Sequence, residues 1–380
     1  MTAVTLDGHS WRVTGWRLPI VGGTVWRGGR LALESLPWHS ITHDDDDLIR
    51  IWVIHRLKIV WRIRVVHCHD AFMKNTTSAP VRLRAGSPAQ LVATLPYLFG
   101  FRPDQSVIVL GLRGRRIDAA ARLDASVVLD DGFDAVVLRN RLSTVIGQGR
   151  QVIAVAWHDD AGAARRAVDA VVDAIGAADM AIIVSGGRCQ ADDGPWQDCP
   201  DGVAEADDAG LTVLASRAMI EASVAGPSSD DSAAAAAWMS ICEVVDDMTL
   251  YERRGKAKHI MEEGWTAPGN LTLEQCLELA ALARQGRVRD VMTAPLNAET
   301  ARSHLELWGA VVPRVPDGGA PAVLGLLGLA AWLAGEGALQ VCCLERGLAL
   351  EPDHSLLRLV ETINVMGVHP REWAKVRLLR

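Results

Sequence analysis

Two short stretches put charged side chains where an α/β protein keeps its chemistry. "WHDD" (Trp157, His158, Asp159, Asp160) closes the apolar run "QVIAVAW" (151–157). A histidine beside carboxylates can serve as a general base held by an acid, or as part of a metal-ligand pair. The same residues have a plainer use, with Asp159 or Asp160 capping the next helix and His158 in solvent. "FRPDQ" (101–105) places Arg102 and Asp104 just before a second apolar run, "SVIVLGL" (106–112), and the segment after that run ends on Arg122 and Asp124. Charges at the ends of neighbouring strands can gather a ligand or simply neutralise one another. A further pair, Arg289-Asp290, stands just after Gly286 and reads either as a binding pair or as an ion pair at a helix start. The candidate catalytic groups are His158, Asp159, Asp104 and Asp124. The candidate ligand-binding groups are Arg102, Arg122, Arg289 and Asp290.

Metal chemistry finds little support in the residue pattern. The loop "GGRCQADDGPWQDCPDGVAEADDAG" (186–210) carries Cys189, Cys199 and several acids. Two cysteines are too few for a structural zinc site, and the spacing of an EF-hand is absent. No metal ligand set is assigned, and no cofactor is named. The chain also lacks the phosphate-binding G-x-x-x-x-G-K-[ST], a strand-linked G-x-G-x-x-G, the nucleophile elbow G-x-S-x-G and the zinc motif H-E-x-x-H. The sequence therefore leaves open whether the chain is an enzyme.

The candidate groups need a sheet to hold them. Ser87-Pro88 reads as an N-cap followed by proline at the first helical position. Leu91, Leu95 and Leu98 then share one face, Pro96 interrupts the pattern and Gly100 marks the exit. Pro103-Asp104 is turn chemistry. "SVIVLGL" is a continuous apolar run, the mark of a strand covered on both faces. "IDAAARLD" (117–124) alternates, which predicts a half-exposed partner strand. A helix over 133–147, a buried strand over 151–157, a covering helix over 161–178 and a third buried strand over 179–186 complete the predicted order. The fold class is α/β, a three-layer mixed or partly parallel sheet with covering helices. In such sheets ligands favour the carboxyl ends of strands.

From 230 onward the pattern turns helical: 230–248, 272–286, 297–312, 320–337, 337–352 and 353–367, separated by short Gly and Pro breaks. Short joints make antiparallel helical hairpins. The domain organisation is thus an α/β domain over 78–225 followed by an all-α helical-hairpin domain over 230–380. Trp332 to Leu359 looks like one tetratricopeptide-type helix pair with no second copy, a likeness of packing only.

Residues 1–77 are atypical. The first 72 residues hold six of the 13 Trp, six of the 11 His and only three Ala, with nine Lys/Arg against seven Asp/Glu. Two readings stand: a separate small domain, or a segment that is disordered or outside the native product because translation starts at Met73. "LIRIWVIHRLKIVWRIRVV" (48–66) mixes β-branched residues and Trp with five cations, which excludes a spanning helix. A membrane-surface or nucleic-acid contact remains for it. Asp44 to Asp47 read as a solvated charge run, because consecutive side chains point in different directions.

The bulk properties set outer limits. The chain has 380 residues, 49% hydrophobic and 22% charged, with a net charge of -7. That is ordinary for a folded soluble protein and lacks the basic balance a general nucleic-acid binder needs. Seven cysteines without a CxxC argue against a disulfide framework and for the cytoplasm. No run of 18 uncharged apolar residues signals a transmembrane segment.

With these residues in view, the chain from about 82 to 373 resembles the actinobacterial family known as domain of unknown function 4192. The likeness rests on "SPAQLVATLPYLFGFRPDQSVIVLGL" (87–112), on "ARLD" (121–124), and on "VRDVM" (288–292) with "APAVLGLLGLAAWLAGEGALQVCCLERGLALEPDHSLLRLV" (320–360). The 186–210 loop is poorer in cysteine than the resemblance leads one to expect, and residues 1–72 have no counterpart in it. The resemblance implies a shared fold and lends no activity. The leading expectation is a cytoplasmic binding or regulatory module for an unknown small molecule or protein partner, with the helical part supplying a second surface or a homo-oligomer interface. The alternative is a hydrolase or transferase with its site at the strand ends.

Overall fold

A computed structural model of the chain describes residues 2–6, 9–13, 63–66 and 83–373, apart from 144, 148–149, 209 and 228–230. The expectations for Asp44–Asp47, for 48–62 and for a start at Met73 lie outside the described residues. The chain forms two compact units, Met1–Leu57 and Lys58–Arg380. The described part of the first is an antiparallel hairpin, β1 (Thr2–Leu6) with β2 (His9–Val13).

The second unit is built on a mixed sheet. Its strands are β3 (Ile63–Val66), β4 (Ser106–Arg113), β5 (Arg116–Asp124), β6 (Gln151–Trp157), β7 (Met180–Ser185), β8 (Arg188–Ala191) and β9 (Gln197–Asp198), in the order β3-β5-β4-β6-β7-β8-β9. Only β6 and β7 pair in parallel; every other neighbouring pair is antiparallel. The parallel pair needs a crossover, and α4 (Ala161–Ile175) supplies it. Asp160 caps that helix by accepting from the amide of Ala163 at 3.0 Å, so the plainer reading of the acids after β6 holds for this one.

Successive side chains of a strand point to opposite faces, and both faces of this sheet are covered. On one face Val107, Val109, Ala121, Ala154 and Ala156 pack beneath α2 (Ala125–Val128), α3 (Ala135–Leu142) and α4. On the other, Ile108, Leu110, Ala120, Val155 and Val184 pack beneath α1 (Pro88–Phe99), Phe101 and the helices that follow the sheet. This is the three-layer arrangement the sequence predicts. Two details differ. The first helix runs through Pro96 to Phe99 before Gly100 (φ 76°) ends it, at the loss of the backbone bond that a residue with an N–H at 96 would make. Strand β5 is not half-exposed: Ala120 and even Arg122 are buried, since Phe101 and the second layer of helices cover that face.

The segment 186–210 contains more structure than a solvated loop. β7, β8 and β9 form an antiparallel meander that carries Cys189 and brings Cys199 back beside it. It leads into α5 (Ala204–Asp208) and α6 (Arg217–Ser223).

The rest is helical. α7 (Ser232–Asp247), α8 (Leu250–Thr266), α9 (Leu273–Ala283), α10 (Gly286–Thr293), α11 (Ala301–Val311), α12 (Ala320–Ala334), α13 (Gly337–Leu350) and α14 (Ser355–Val365) follow with short joints. α8 escapes a hydrophobic-pattern reading because "YERRGKAKH" shows no apolar stripe. A reciprocal capping box between Thr249 and Glu252 starts it. One apolar cluster runs from the α1 face of the sheet through Leu279, Trp308, Leu324, Cys343 and Leu357 of the helices, so both parts share a core.

Candidate functional site

The site lies at one end of the sheet. There β5 and β6 finish, β4 begins, and the α1 face carries Ser106, Arg122, Asp124 and Trp157. Register places Ser106 opposite Asp124 on one side and opposite Trp157 on the other. The turn before β4 brings Arg102, Asp104 and Gln105 over these strand ends, and two bonds pin it. The hydroxyl of Ser106 donates to the carbonyl of Asp104 at 2.8 Å, and the amide of Ala125 donates to the carbonyl of Gln105 at 2.8 Å.

Charges alternate across this end. Arg122 is only 6% exposed and meets Asp124 at 2.9 Å, with its guanidinium 5.3 Å from the centroid of Phe101. Arg102 meets Asp104 at 3.3 Å and lies 5.7 Å from the centroid of Trp157. The two pairs lie within electrostatic reach of each other. Burial raises the pKa of Asp104, the Arg102 charge and hydrogen bond oppose this, Asp159 adds to it, and Arg122 opposes it. Asp159 is fixed from the turn, since Nε2 of Gln105 donates to its Oδ2 at 2.7 Å. The backbone carbonyl of Asp159 in turn accepts from the hydroxyl of Ser185 at the end of β7.

Five of the eight candidates therefore gather here: Arg102, Asp104, Arg122, Asp124 and Asp159. His158 sits beside them in sequence but serves the helix start, its Nδ1 accepting from the amide of Asp160 at 2.9 Å. Arg289 and Asp290 belong to α10 in the helical part. Arg289 donates to the carbonyls of Ala283 and Arg284 at 2.8 and 2.9 Å, closing the end of α9, and to Ser355 at 3.1 Å. A helix end leaves carbonyls that such a side chain satisfies.

Gln105, Trp157 and Phe101 escape sequence reasoning as site residues. For Gln105 the signal is conformational: its φ is +51°, in the left-handed region that favours glycine. Strain of this kind gathers at functional sites. Phe101 and Trp157 read as core aromatics, and only the fold shows that each carries a guanidinium on its face.

Cys189 and Cys199 meet in thiol–thiol hydrogen-bond contact at the edge of this cluster. Burial, with the neighbouring thiol, pushes Cys199 up to about 12, and burial raises Cys189 as well. Thiols held protonated in this way are poor nucleophiles and poor metal ligands. Among the described residues, no group of three or more His, Cys, Asp or Glu side chains is placed to hold a metal ion.

The family model for the domain of unknown function DUF4192 matches residues 88–371. The chain belongs to the DUF4192 family. No curated protein and no solved structure matches it. The DUF4192 span begins at the first turn of α1 and ends beyond α14, so it takes in the strand-end cluster and the helical part together. No helix among the described residues is long and apolar enough to cross a membrane. A cleft of about 450 Å3 in this DUF4192 protein lies away from the strand ends, where α6 meets α13, and is lined by Glu221, Val224, Asp317, Glu345 and Arg346. Its charges act mainly as fasteners between the two parts: Arg346 bonds the carbonyl of Val224 and the carboxylate of Asp317, and Arg217 bonds Glu345.

Proposed function

We propose that this DUF4192 protein is a binding or regulatory module of the cytoplasm, of actinobacterial origin as its family resemblance implies. Its recognition site is the strand-end cluster of Arg102, Asp104, Arg122, Asp124 and Asp159. The observation that carries the reading is the position of Asp104. It comes from a turn, yet it feels two guanidiniums and a second carboxylate drawn from the turn, from β5 and from the end of β6. Opposite charges gathered from a strand, a strand exit and a turn, beside an aromatic face, are the makings of a polar small-molecule site. The helical part adds a second surface for a protein partner or a second copy of the chain. Met239 (61% exposed), Val244, Tyr251 (87% exposed) and Leu273 all turn outward on α7 to α9. The net charge of -7 supports a partner other than general nucleic acid. A native product starting at Met73 belongs to the same proposal.

The test is a thermal-shift screen of metabolites and metal ions on the full chain, repeated on Asp104→Asn and Arg122→Met. A hit that shifts the wild type and neither variant supports the site. Hits that shift all three proteins equally place recognition elsewhere and overturn it.

A second reading, a hydrolase or transferase using the same strand ends, is favoured by one observation. Partial burial and the Asp159 charge disfavour the charged form of Asp104 against the pull of Arg102 and Arg122, so its carboxyl holds a proton more readily than a free one, as acid–base work requires. Conversion of a hit compound by the wild type but not by Asp104→Asn is the outcome this reading requires. A contact of 48–66 with a membrane surface or nucleic acid is a third proposal, carried by five cations set among β-branched residues and Trp.

A further inference from the structure

Trp157 and Asp104, with Asp159 within electrostatic reach, make a surface cradle whose chemistry suits a positive group, and a side chain of the protein already sits on it. Arg102 lies 5.7 Å from the centroid of the Trp157 ring and 3.3 Å from Asp104. Its side chain is about half exposed at 55%, and it belongs to the turn ahead of β4, not to a strand. Arg122, by contrast, is buried and committed to Asp124 and Phe101. The two arginines are therefore not equivalent: one is part of the frame and the other is a half-exposed occupant.

The charge balance points the same way. Three carboxylates (Asp104, Asp124, Asp159) face two guanidiniums. If Arg102 swings into solvent, an aromatic face is left beside Asp104 and Asp159, with Asp159 held in place by Gln105. An anion entering there would meet two carboxylates. An organic cation would replace like with like, gaining the ring face and the carboxylate together. An exposed ion pair such as Arg102 with Asp104 contributes little to the fold, so displacing it costs little.

We infer that the strand-end cradle recognises a guanidinium or primary alkylammonium group of a small ligand, and that Arg102 is an internal stand-in which the ligand displaces. This rests on the reading of the strand-end cluster as the recognition site, and it adds the ligand class and a self-occupied ground state.

The experiment titrates the full chain with propylguanidinium, butylammonium, the neutral isostere propylurea, and inorganic phosphate, following indole N–H resonances. The proteins are the wild type, Arg122→Met, Arg102→Ala, and Arg102→Ala combined with Trp157→Leu or Trp157→Phe, each checked for folding by circular dichroism. A site occupied by its own side chain most of the time loses apparent affinity in that proportion, so Arg102→Ala is expected to bind both cations about tenfold more tightly than the wild type. Leucine at 157 abolishes the gain, phenylalanine keeps part of it, and propylurea does not bind. Equal binding of propylurea, or no gain in Arg102→Ala, overturns the inference. Phosphate binding that disappears in Arg122→Met overturns the cation class and leaves the cluster standing as the recognition site. Failure of all four probes while a screen hit still needs Asp104 and Arg122 likewise removes only the class. Failure of the probes with no such hit removes both.

Discussion

Gln105 and Asp159 are 54 residues apart in sequence and joined by a 2.7 Å hydrogen bond from Nε2 to Oδ2, which ties the turn ahead of β4 to the exit of β6. The backbone of Gln105 has a φ of +51°. The bond and the strain oppose one another, and substitutions separate them. Glycine at 105 loses the bond and relieves the strain, so Gln105→Gly is expected to keep stability within about 1 kcal/mol of the wild type. Gln105→Val loses the bond and adds a branched side chain in a left-handed conformation, at a cost of about 2 kcal/mol. Urea unfolding of the three proteins checks the order. A valine variant as stable as the glycine variant would show that the turn relaxes freely.

Arg122 is a buried cation with a carboxylate at 2.9 Å and an aromatic face above it. Truncation strands Asp124 beside an apolar layer. Arg122→Ala is expected to lower unfolding free energy by about 3 kcal/mol, while Arg122→Met, which refills the volume, costs less. Denaturant midpoints measured at one salt concentration decide this. A loss below about 1 kcal/mol in the alanine variant would mean that water enters and solvates the acid.

Acid sensitivity follows from two buried histidines of the helical part. Burial lowers His304 to about 4. Burial, with the nearby Arg289 charge, lowers His354 to about 4. An unfolded histidine titrates near 6.5. Above that pH neither state binds the extra proton and nothing is lost. Between about 6.5 and 4 the unfolded chain takes it up and the folded chain does not, so stability falls as pH falls through that window. For His304, 1% exposed against Trp265, the loss is on the order of 3 kcal/mol by pH 4. Melting curves from pH 7.5 to 4.5 are expected to slope downward with acid, and less steeply in His304→Leu. Parallel slopes in the two proteins would count against this assignment.

A chain shortened to begin at Met73 lacks β3, and its loss turns β5 into the sheet edge. Every strand pairing other than that of β5 with β3 is kept. The expected result is a soluble protein with a single unfolding transition, read by size exclusion and circular dichroism. Aggregation of the shortened chain, with the full chain soluble, would end the proposal of a Met73 start, since exposed strand edges recruit other strands.

The legible parts of this molecule were those where local chemistry and global packing agree. "SVIVLGL" and "QVIAVAW" announce buried strands because no polar side chain interrupts them. Ser87-Pro88 and Gly100 bracket α1 because their backbone preferences are needed there. The strand-end location of Asp104, Arg122, Asp124 and Asp159 followed from the strands. Other features depend on contacts distant in sequence. Nothing in "ARLD" reveals that Arg122 is buried, because the cover comes from Phe101 and from the second layer of helices. The β8–β9 ribbon is short and polar, so its identity as a pair of strands rests on its pairing to β7. Arg289 looked available in the sequence because the carbonyls it closes belong to a different helix.

The shared apolar cluster has a consequence for how this protein is inherited. Ile108 and Val155 of the sheet belong to the same dry interior as Trp308 and Leu357 of the helices. A gene cut between codons 226 and 231 would yield two products, each with an oily face that its missing half had hidden. Either part alone needs a new cover for that face before it can stand as a separate module. The family span of 88–371 takes in both of them.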